Sequence, residues 1–309
     1  MNKFEELQAF VRVAETASIS QAAQRLNIAK SAVSRRISEL EHRLGIQLFY
    51  RTTRHISLTD SGSIFYQSAL RILTDLNEAE LAVSQQHGAI AGHLKIAAPL
   101  SFGLRHLGPA INDFLAIHPQ LQFDMDFNDR QVDIMQEGFD LAIRIATLPD
   151  SSYIARRIAP IHQVVCASSS YLKKFGTPTL PTELQHHQCL VYSNSVNPML
   201  WRYQDIEGRQ FNVKINAILK ANNGDFLRDA AINGKGIVCL PTFIVNDAIE
   251  QKDLQPLFTS YRWPGSDAFA LYPPTQHVSK RVTVFIEFLI KRFKDKPYWD
   301  SCLNLNGNP

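Results

Sequence analysis

The sequence predicts an α/β protein in three parts: a small helical head closed by a β-hairpin, a long linker helix, and a two-lobed α/β domain. Three observations carry this. Apolar residues recur at helical steps in three short segments before residue 45. A proline-free stretch from Asp60 to about Gln86 keeps a heptad-like seam. Beyond Gly92, strand-like and helix-like segments alternate to about residue 295.

In the head, a first helix runs from about Phe4 to Glu15, with Leu7, Phe10, Val11 and Ala14 on one face. Ser18 with Gln21 forms an S-x-x-Q capping box that opens a second helix, short and alanine-rich. After the turn Asn27-Ile28-Ala29, the segment KSAVSRRISELEHRLG carries Val33, Ile37, Leu40 and Leu44 on an apolar stripe. Its other face holds Ser31, Ser34, Arg35 and Ser38, hydroxylated and basic without an acid. A short helix, a brief turn and a longer helix make a helix-turn-helix, whose second helix enters the DNA major groove. Lys30, Ser31, Ser34 and Arg35 then lie on the turns that meet base edges, where hydroxyls permit close approach and arginine grips guanine or phosphate. Arg36 is expected to reach phosphate or solvent, and Glu39 with Arg43 to form a surface pair. Leu48, Phe49, Ile56 and Leu58 flank Arg51-Thr52-Thr53-Arg54, predicting two strands and a turn. This wing would set Arg51 and Arg54 at the minor groove or backbone; a plain surface hairpin is the alternative.

The charge distribution agrees with this reading. The chain has 309 residues and a net charge of +3. Residues 1–60 hold 9 Lys/Arg against 6 Asp/Glu, whereas residues 61–309 hold 23 of each, so the whole excess sits in the head. Such asymmetry suggests nucleic-acid contact, with an ordinary solvated face as the alternative. Composition is that of a globular protein, 45% hydrophobic and 20% charged. The first residues carry no signal-peptide pattern, and no run approaches the ~18 apolar residues of a membrane span. A cytoplasmic protein without a membrane partner is expected. Cys166, Cys189, Cys239 and Cys302 stand far apart with no metal spacing, so reduced thiols are expected, with a redox role for Cys239 or Cys302 as the alternative. No G-x-S-x-G, H-E-x-x-H or Walker-type loop occurs, and no metal or cofactor is expected.

The head resembles the DNA-binding region of LysR-type transcriptional regulators. The residues that carry the resemblance are Ser18-Ile19-Ser20-Gln21-Ala22-Ala23, then Ser31 to Arg35, Leu40 to Arg51, and finally Leu58, Thr59 and Gly62. It implies a regulator that binds double-stranded DNA at a pseudo-palindromic operator, with Ser20 and Gln21 beside the third helix as further contacts. Two positions depart from the family pattern. Lys30 stands where glutamine is frequent, and Ala29 where many members carry a capping serine, which predicts a weaker helix start.

The linker helix carries Phe65, Ala69, Ile72, Leu76, Ala79 and Val83 at alternating steps of four and three, an a/d seam. Packing on its own domain is the alternative to dimerisation, and the resemblance implies a homodimer or homotetramer. The expected organisation is a winged head over 1–60, a linker over 61–87 and a hinge over 88–92. Lobe I would take 93–160 with 267–295, lobe II 161–266, and a loose tail 296–309.

Lobe I is read from the strands HLKIAAP, LQFDMDF and DLAIRI, the helix LRHLGPAINDFLAIHP and a short helix RQVDIMQEG. RRIAPIHQVVCAS passes into lobe II, and DAFALYPP with SKRVTVFIEFLIKRF returns to close lobe I. Two lobes crossed twice by the chain leave a cleft. The resemblance implies a likeness to periplasmic solute-binding proteins and a small-molecule effector in that cleft. Ligands of open α/β sheets bind beyond strand carboxyl ends. That places Leu100, Ser101 and Phe102, Asn128 and Asp129, Ser193 and Asn194, and Asn223 at the site. Ser101 with free N–H groups could hold a carboxylate, or simply cap a helix; Phe102 could floor an aromatic ligand, or pack in the core. The expected function is a LysR-type regulator sensing a carboxylate or aromatic compound. The alternatives are an effector-independent or redox-controlled regulator and, from another class, a binding protein or enzyme with a helical accessory domain.

Overall fold

A computed structural model describes residues 2–51, 56–84, 90–130, 132–146, 153–195, 197–274, 278–294 and 296–303. The head comprises α1 (Lys3–Thr16), α2 (Ile19–Leu26), α3 (Lys30–Leu44), the antiparallel pair β1 (Phe49–Arg51) and β2 (Ile56–Leu58), and the start of α4 (Asp60–Ser84). Side-chain caps open the first two helices: Phe4 N–H donates to Asn2 and Gln21 N–H to Ser18. Ala17 and Asn27 end them in the left-handed region, and Gly45, at φ 72°, ends α3. Ala29 supplies no side-chain cap to α3, as its methyl group dictates. Phe10, Val33, Ile37, Leu40 and Leu48 fill the core of the head. Gly62 is where α4 crosses β1: a Cβ there would lie 2.0 Å from the Leu48 carbonyl oxygen.

The larger part starts with β3 (Gly92–Ala98), α5 (Leu100–Phe102), a π-helical turn over Gly103–Leu107 and α6 (Gly108–Ile117). The sequence predicts a regular helix from Leu104. The structure starts it at Leu100 and widens it into the π turn, because Pro109 has no N–H for an i→i−4 bond. β4 (Leu121–Phe127) and β5 (Leu141–Ala146) follow. The short helix expected over 130–138 is instead a turn wrapped on Asp133, whose carboxylate accepts from Met135 and Gln136 N–H, and Gly138 at φ 72° reverses the chain.

β6 (Ile154–Ile161) leads through His162 into β7 (Gln163–Ala167) of a second sheet. That lobe holds α7 (Ser169–Phe175), a 3-10 turn over Pro181–His186 and β8 (Gln188–Tyr192). A hairpin of β9 (Leu200–Gln204) and β10 (Gln210–Lys214) is followed by β11 (Asn216–Ala221) and α8 (Gly224–Ile232). β12 (Ile237–Pro241), α9 (Thr242–Glu250) and β13 (Gln255–Leu257) complete it. The chain returns with β14 (Ser266–Tyr272) and α10 (Lys280–Phe293), and ends in a 3-10 turn over Tyr298–Leu303.

The two five-stranded sheets have strand orders β4-β3-β5-β14-β6 and β11-β8-β12-β7-β13. In the first, β4, β3 and β5 pair in parallel and β14 runs antiparallel to both β5 and β6; in the second, β11, β8 and β12 pair in parallel and β7 runs antiparallel to both β12 and β13. The crossovers lie side by side: a Cβ on Gly265 would come within 2.1 Å of the Ile161 carbonyl oxygen. One apolar core runs through both lobes, from Ile96, Phe114 and Phe285 to Leu190, Leu227 and Phe243. The tail is not loose where it is described, since Trp299 is buried in this core at 1% exposure.

Candidate nucleic-acid interface and ligand cleft

Val33, Ile37 and Leu40 turn one side of α3 into the core of the head, which presents the opposite side to solvent. Lys30, Ser31, Arg35 and Ser38 are exposed there and Ser34 is half-buried. The Arg35 side chain is 74% exposed, with Glu39 at 3.8 Å as a loose i+4 partner. The uncapped start of α3 leaves first-turn N–H groups to an external acceptor such as phosphate. Ser20 and Gln21 are exposed on the neighbouring α2.

Arg36 departs from its expected role: its guanidinium is tied to Glu5 of α1 and is 22% exposed. Arg43 likewise pairs with the buried Glu6 at 2.5 Å rather than with Glu39. These pairs brace α1 against α3, and only tertiary packing decides them. The hairpin of the wing is present; the Arg51 side chain and all of Arg54 lie outside the described residues.

The seam on α4 divides. Ala69 is buried in the core of the head, and Phe65 packs there with its ring 5.2 Å from Phe10. These two positions serve the chain's own head, which corrects their expected place at a dimer contact. Ile72 is 45% exposed and Leu76 half-buried, so a face open to a partner starts at Ile72. Ala79 and Val83 lie on the same helix, with side chains outside the described residues.

A cavity of about 810 Å³ separates the lobes beside the two crossovers. Ser101, Phe102, Asn128, Asp129 and Asn194 reach it, and a recess of about 550 Å³ adds Leu100 and Asn223. Several of these side chains are already engaged. Ser101 is buried and donates to Asp225 across the lobes. Asp225 also accepts from Arg105 and Arg228, both at 2.8 Å. The Ser101 hydroxyl therefore links lobes instead of standing free for a carboxylate. Asn223 spends its carbonyl oxygen capping α8 through Phe226 N–H. Asn128 is folded into its own turn, donating to Asp126 and accepting from Arg130 N–H. Phe102 has no exposed surface and sits among Phe243, Phe293 and Trp299, which makes it core. Ser193 is exposed and lines neither cavity.

Asp129 accepts from Leu100 N–H, and burial pushes its carboxyl above the usual range. Three cations, Arg130, Arg144 and Arg202, line the same cavity. Arg130 is neutralised by Glu137, whose carboxyl that bond pulls down to about 2. Arg144 donates to the Val132 carbonyl, and burial makes its charge costly. Arg202 faces solvent from lobe II, next to Trp201, with Trp263 nearby on the same wall. Sequence reasoning misses these cations and rings; the signals are an arginine inside the apolar strand DLAIRI and the pair Trp201-Arg202.

Cys239 also lines the cavity, with its thiol 3.2 Å from the Gln163 side-chain oxygen. Burial pushes the thiols of Cys189 and Cys239 up to about 12 and that of Cys166 higher. Among the described residues no His/Cys/Asp/Glu cluster could hold a metal ion, and no helix is long and apolar enough to cross a membrane.

Two family models match the chain: a bacterial regulatory helix-turn-helix protein of the lysR family over residues 4–63, and the LysR substrate binding domain over residues 87–294. An uncharacterised HTH-type transcriptional regulator of Haemophilus influenzae is 36% identical, over 92% of this chain and 98% of its own. The uncharacterised HTH-type transcriptional regulator YhjC of Escherichia coli is 34% identical, over 96% and 99%. Among solved structures, CrgA of Neisseria meningitidis, a LysR-type transcriptional regulator, superimposes with a TM-score of 0.60 at 34% identity, covering 93% of this chain and 97% of that one.

Proposed function

The chain belongs to the LysR family of bacterial transcriptional regulators, and from that premise we propose that it senses a small anionic, aromatic-bearing molecule in its inter-lobe cleft. It is a DNA-binding regulator with an effector-binding domain, not an enzyme. The observation that carries the ligand class is the balance of the cavity lining. Arg144 and Arg202 face it from opposite lobes, Asp129 is the acid among the lining residues, and Trp201, Trp263 and Tyr192 supply aromatic surface. A carboxylate between two guanidinium groups gains charge-assisted bonds, and the rings take up a flat apolar body. Relocating the anion to the arginines follows from the engagement of Ser101 with Asp225.

Two protomers paired through α4 beyond Ile72 would present two α3 helices to the half-sites of a pseudo-palindromic operator in the bacterial cytoplasm. Lys30, Ser31, Ser34 and Arg35 are the base-reading set, with Ser20 and Gln21 at the flanking backbone. Effector binding changes the lobe spacing and thereby the placement of paired heads, through unequal affinity for two assembly states. The raised thiol of Cys239 weighs against its oxidation as the control, since the thiolate is the reactive form, and the Cys302 side chain lies outside the described residues.

Thermal unfolding against a panel of aliphatic carboxylates, aromatic acids and amino acids tests the ligand class. A binder at 100 times its dissociation constant adds ~2.7 kcal/mol. The expected result is a shift for one aromatic acid that is diminished in Arg202→Ala, a substitution at an exposed position of β9. A shift confined to neutral or cationic compounds would contradict the reading.

A further inference from the structure

The C-terminal segment beyond the matched family domain is bound across the junction of the two lobes. Trp299 packs at the boundary in tilted and edge-on contacts, its ring centroid 4.5 Å from His106 and 5.8 Å from Phe102 on lobe I, and 6.3 Å from Phe243 at the start of α9 on lobe II. Tyr298 O–H lies 2.5 Å from His106 Nδ1, and His106 Nε2 lies 3.1 Å from the Phe243 carbonyl oxygen. A carbonyl only accepts, so Nε2 carries the proton and Nδ1 accepts from Tyr298. One chain of hydrogen bonds thus joins the tail, lobe I and lobe II.

Asp300 reaches the first crossover between the lobes. Its Oδ2 is 2.8 Å from Nδ1 of His162, the single residue between β6 and β7 on the first crossover. The same residue's carbonyl accepts from Thr242 N–H at 2.9 Å, at the first turn of α9. Any rotation of one lobe on the other must change backbone angles at this crossover, because hinge motion concentrates where few strands connect. The tail therefore grips the hinge residue itself. Its grip is incomplete: Trp299 Nε1 and Asp300 Oδ1 are buried without a hydrogen-bond partner among the described residues. Unpaired buried polar groups offset part of the packing gain, which suits a contact that must open.

We propose that Tyr298–Asp300 form a C-terminal clasp that holds the inter-lobe hinge closed, so that lobe movement requires its release. The clasp does not depend on what occupies the cleft, so it can fail while the ligand reading stands, and the reverse.

Hydrogen exchange of the full-length protein tests this, with the Thr242 amide as reporter of the crossover. In Trp299→Ala that amide is expected to exchange roughly tenfold faster or more, with β3 and β4 unchanged. The control is Phe123→Ala, which removes an aromatic side chain packed wholly within lobe I against Phe114 and Phe285; it should leave Thr242 exchange as in the parent. Equal acceleration in both variants would mean general destabilisation and overturn the clasp, as would an unchanged Thr242 in Trp299→Ala. Should Trp299→Ala fail to fold, Asp300→Asn decides: faster Thr242 exchange supports the clasp, and parental exchange overturns it.

Discussion

Arg35 and Arg36 are adjacent in sequence, yet the structure gives them opposite work. Arg35 is 74% exposed on the solvent side of α3, and its one acidic neighbour, Glu39, sits at 3.8 Å. Such surface pairs contribute ~0–1 kcal/mol, so Arg35→Ala should leave the melting temperature almost unchanged. If Arg35 grips a base, the same change costs ~1–3 kcal/mol of specific binding, roughly 5- to 150-fold in affinity. Arg36 is held by Glu5, and its removal takes away one of the two ion pairs between α1 and α3. Arg36→Ala should therefore cost about 1 kcal/mol of head stability, with little change in discrimination between operator and random duplex. Fluorescence anisotropy on an operator selected from a random pool, at several salt concentrations and beside a thermal melt, separates the two. A phosphate-only role for Arg35 would show as uniform weakening on all sequences and a salt slope smaller by ~1. Loss of specificity in Arg36→Ala matching that in Arg35→Ala, with an unchanged melt, would contradict this division of roles.

Three other outcomes are expected. Leu76→Asp should separate the proposed dimer in sedimentation without unfolding the head, whereas Phe65→Ala should lower head stability by roughly 2–3 kcal/mol and leave association intact; a dimer surviving Leu76→Asp at micromolar protein would show that another face pairs. Gly62→Ala, with its Cβ 2.0 Å from the Leu48 carbonyl oxygen, should destabilise the head by about 1–3 kcal/mol, and a neutral melt would mean α4 can shift freely. Burial holds His106 at about 4, below its ordinary 6.5, so the unfolded chain takes up a proton first as pH falls. Stability present above pH 6.5 should then decline by about 3 kcal/mol down to pH 4 and level off below. His106→Gln, which can still donate to the Phe243 carbonyl, should flatten this decline, and an unaltered profile would assign the acid sensitivity elsewhere.

Much of the head is legible in the chain because local rules dominate there: a capping serine, a glycine stop and a stripe at helical steps act within a few residues. The alternation of strands and helices in the lobes is visible for the same reason. Partner choice is not, since it depends on contacts far apart in sequence. Glu5 claims Arg36 from 31 residues away, and Asp225 claims Ser101 from 124. The seam of α4 looks uniform in sequence, yet its first turns meet the chain's own head while Ile72 stays exposed. Trp299 lies in a stretch rich in turn-forming residues that reads as a loose tail, and only the aromatic pocket formed by three separate segments makes it core. The cations of the cleft escape notice because one arginine in a strand carries no local signature.

In the proposed function, occupation of the cleft is coupled to DNA recognition. The most direct measurement is operator affinity and footprint with and without the aromatic acid that gives the largest thermal shift. The expected result is a change in affinity or in footprint length that disappears in Arg202→Ala along with ligand binding. Tight binding of that compound with affinity, footprint and transcription all unchanged would contradict it.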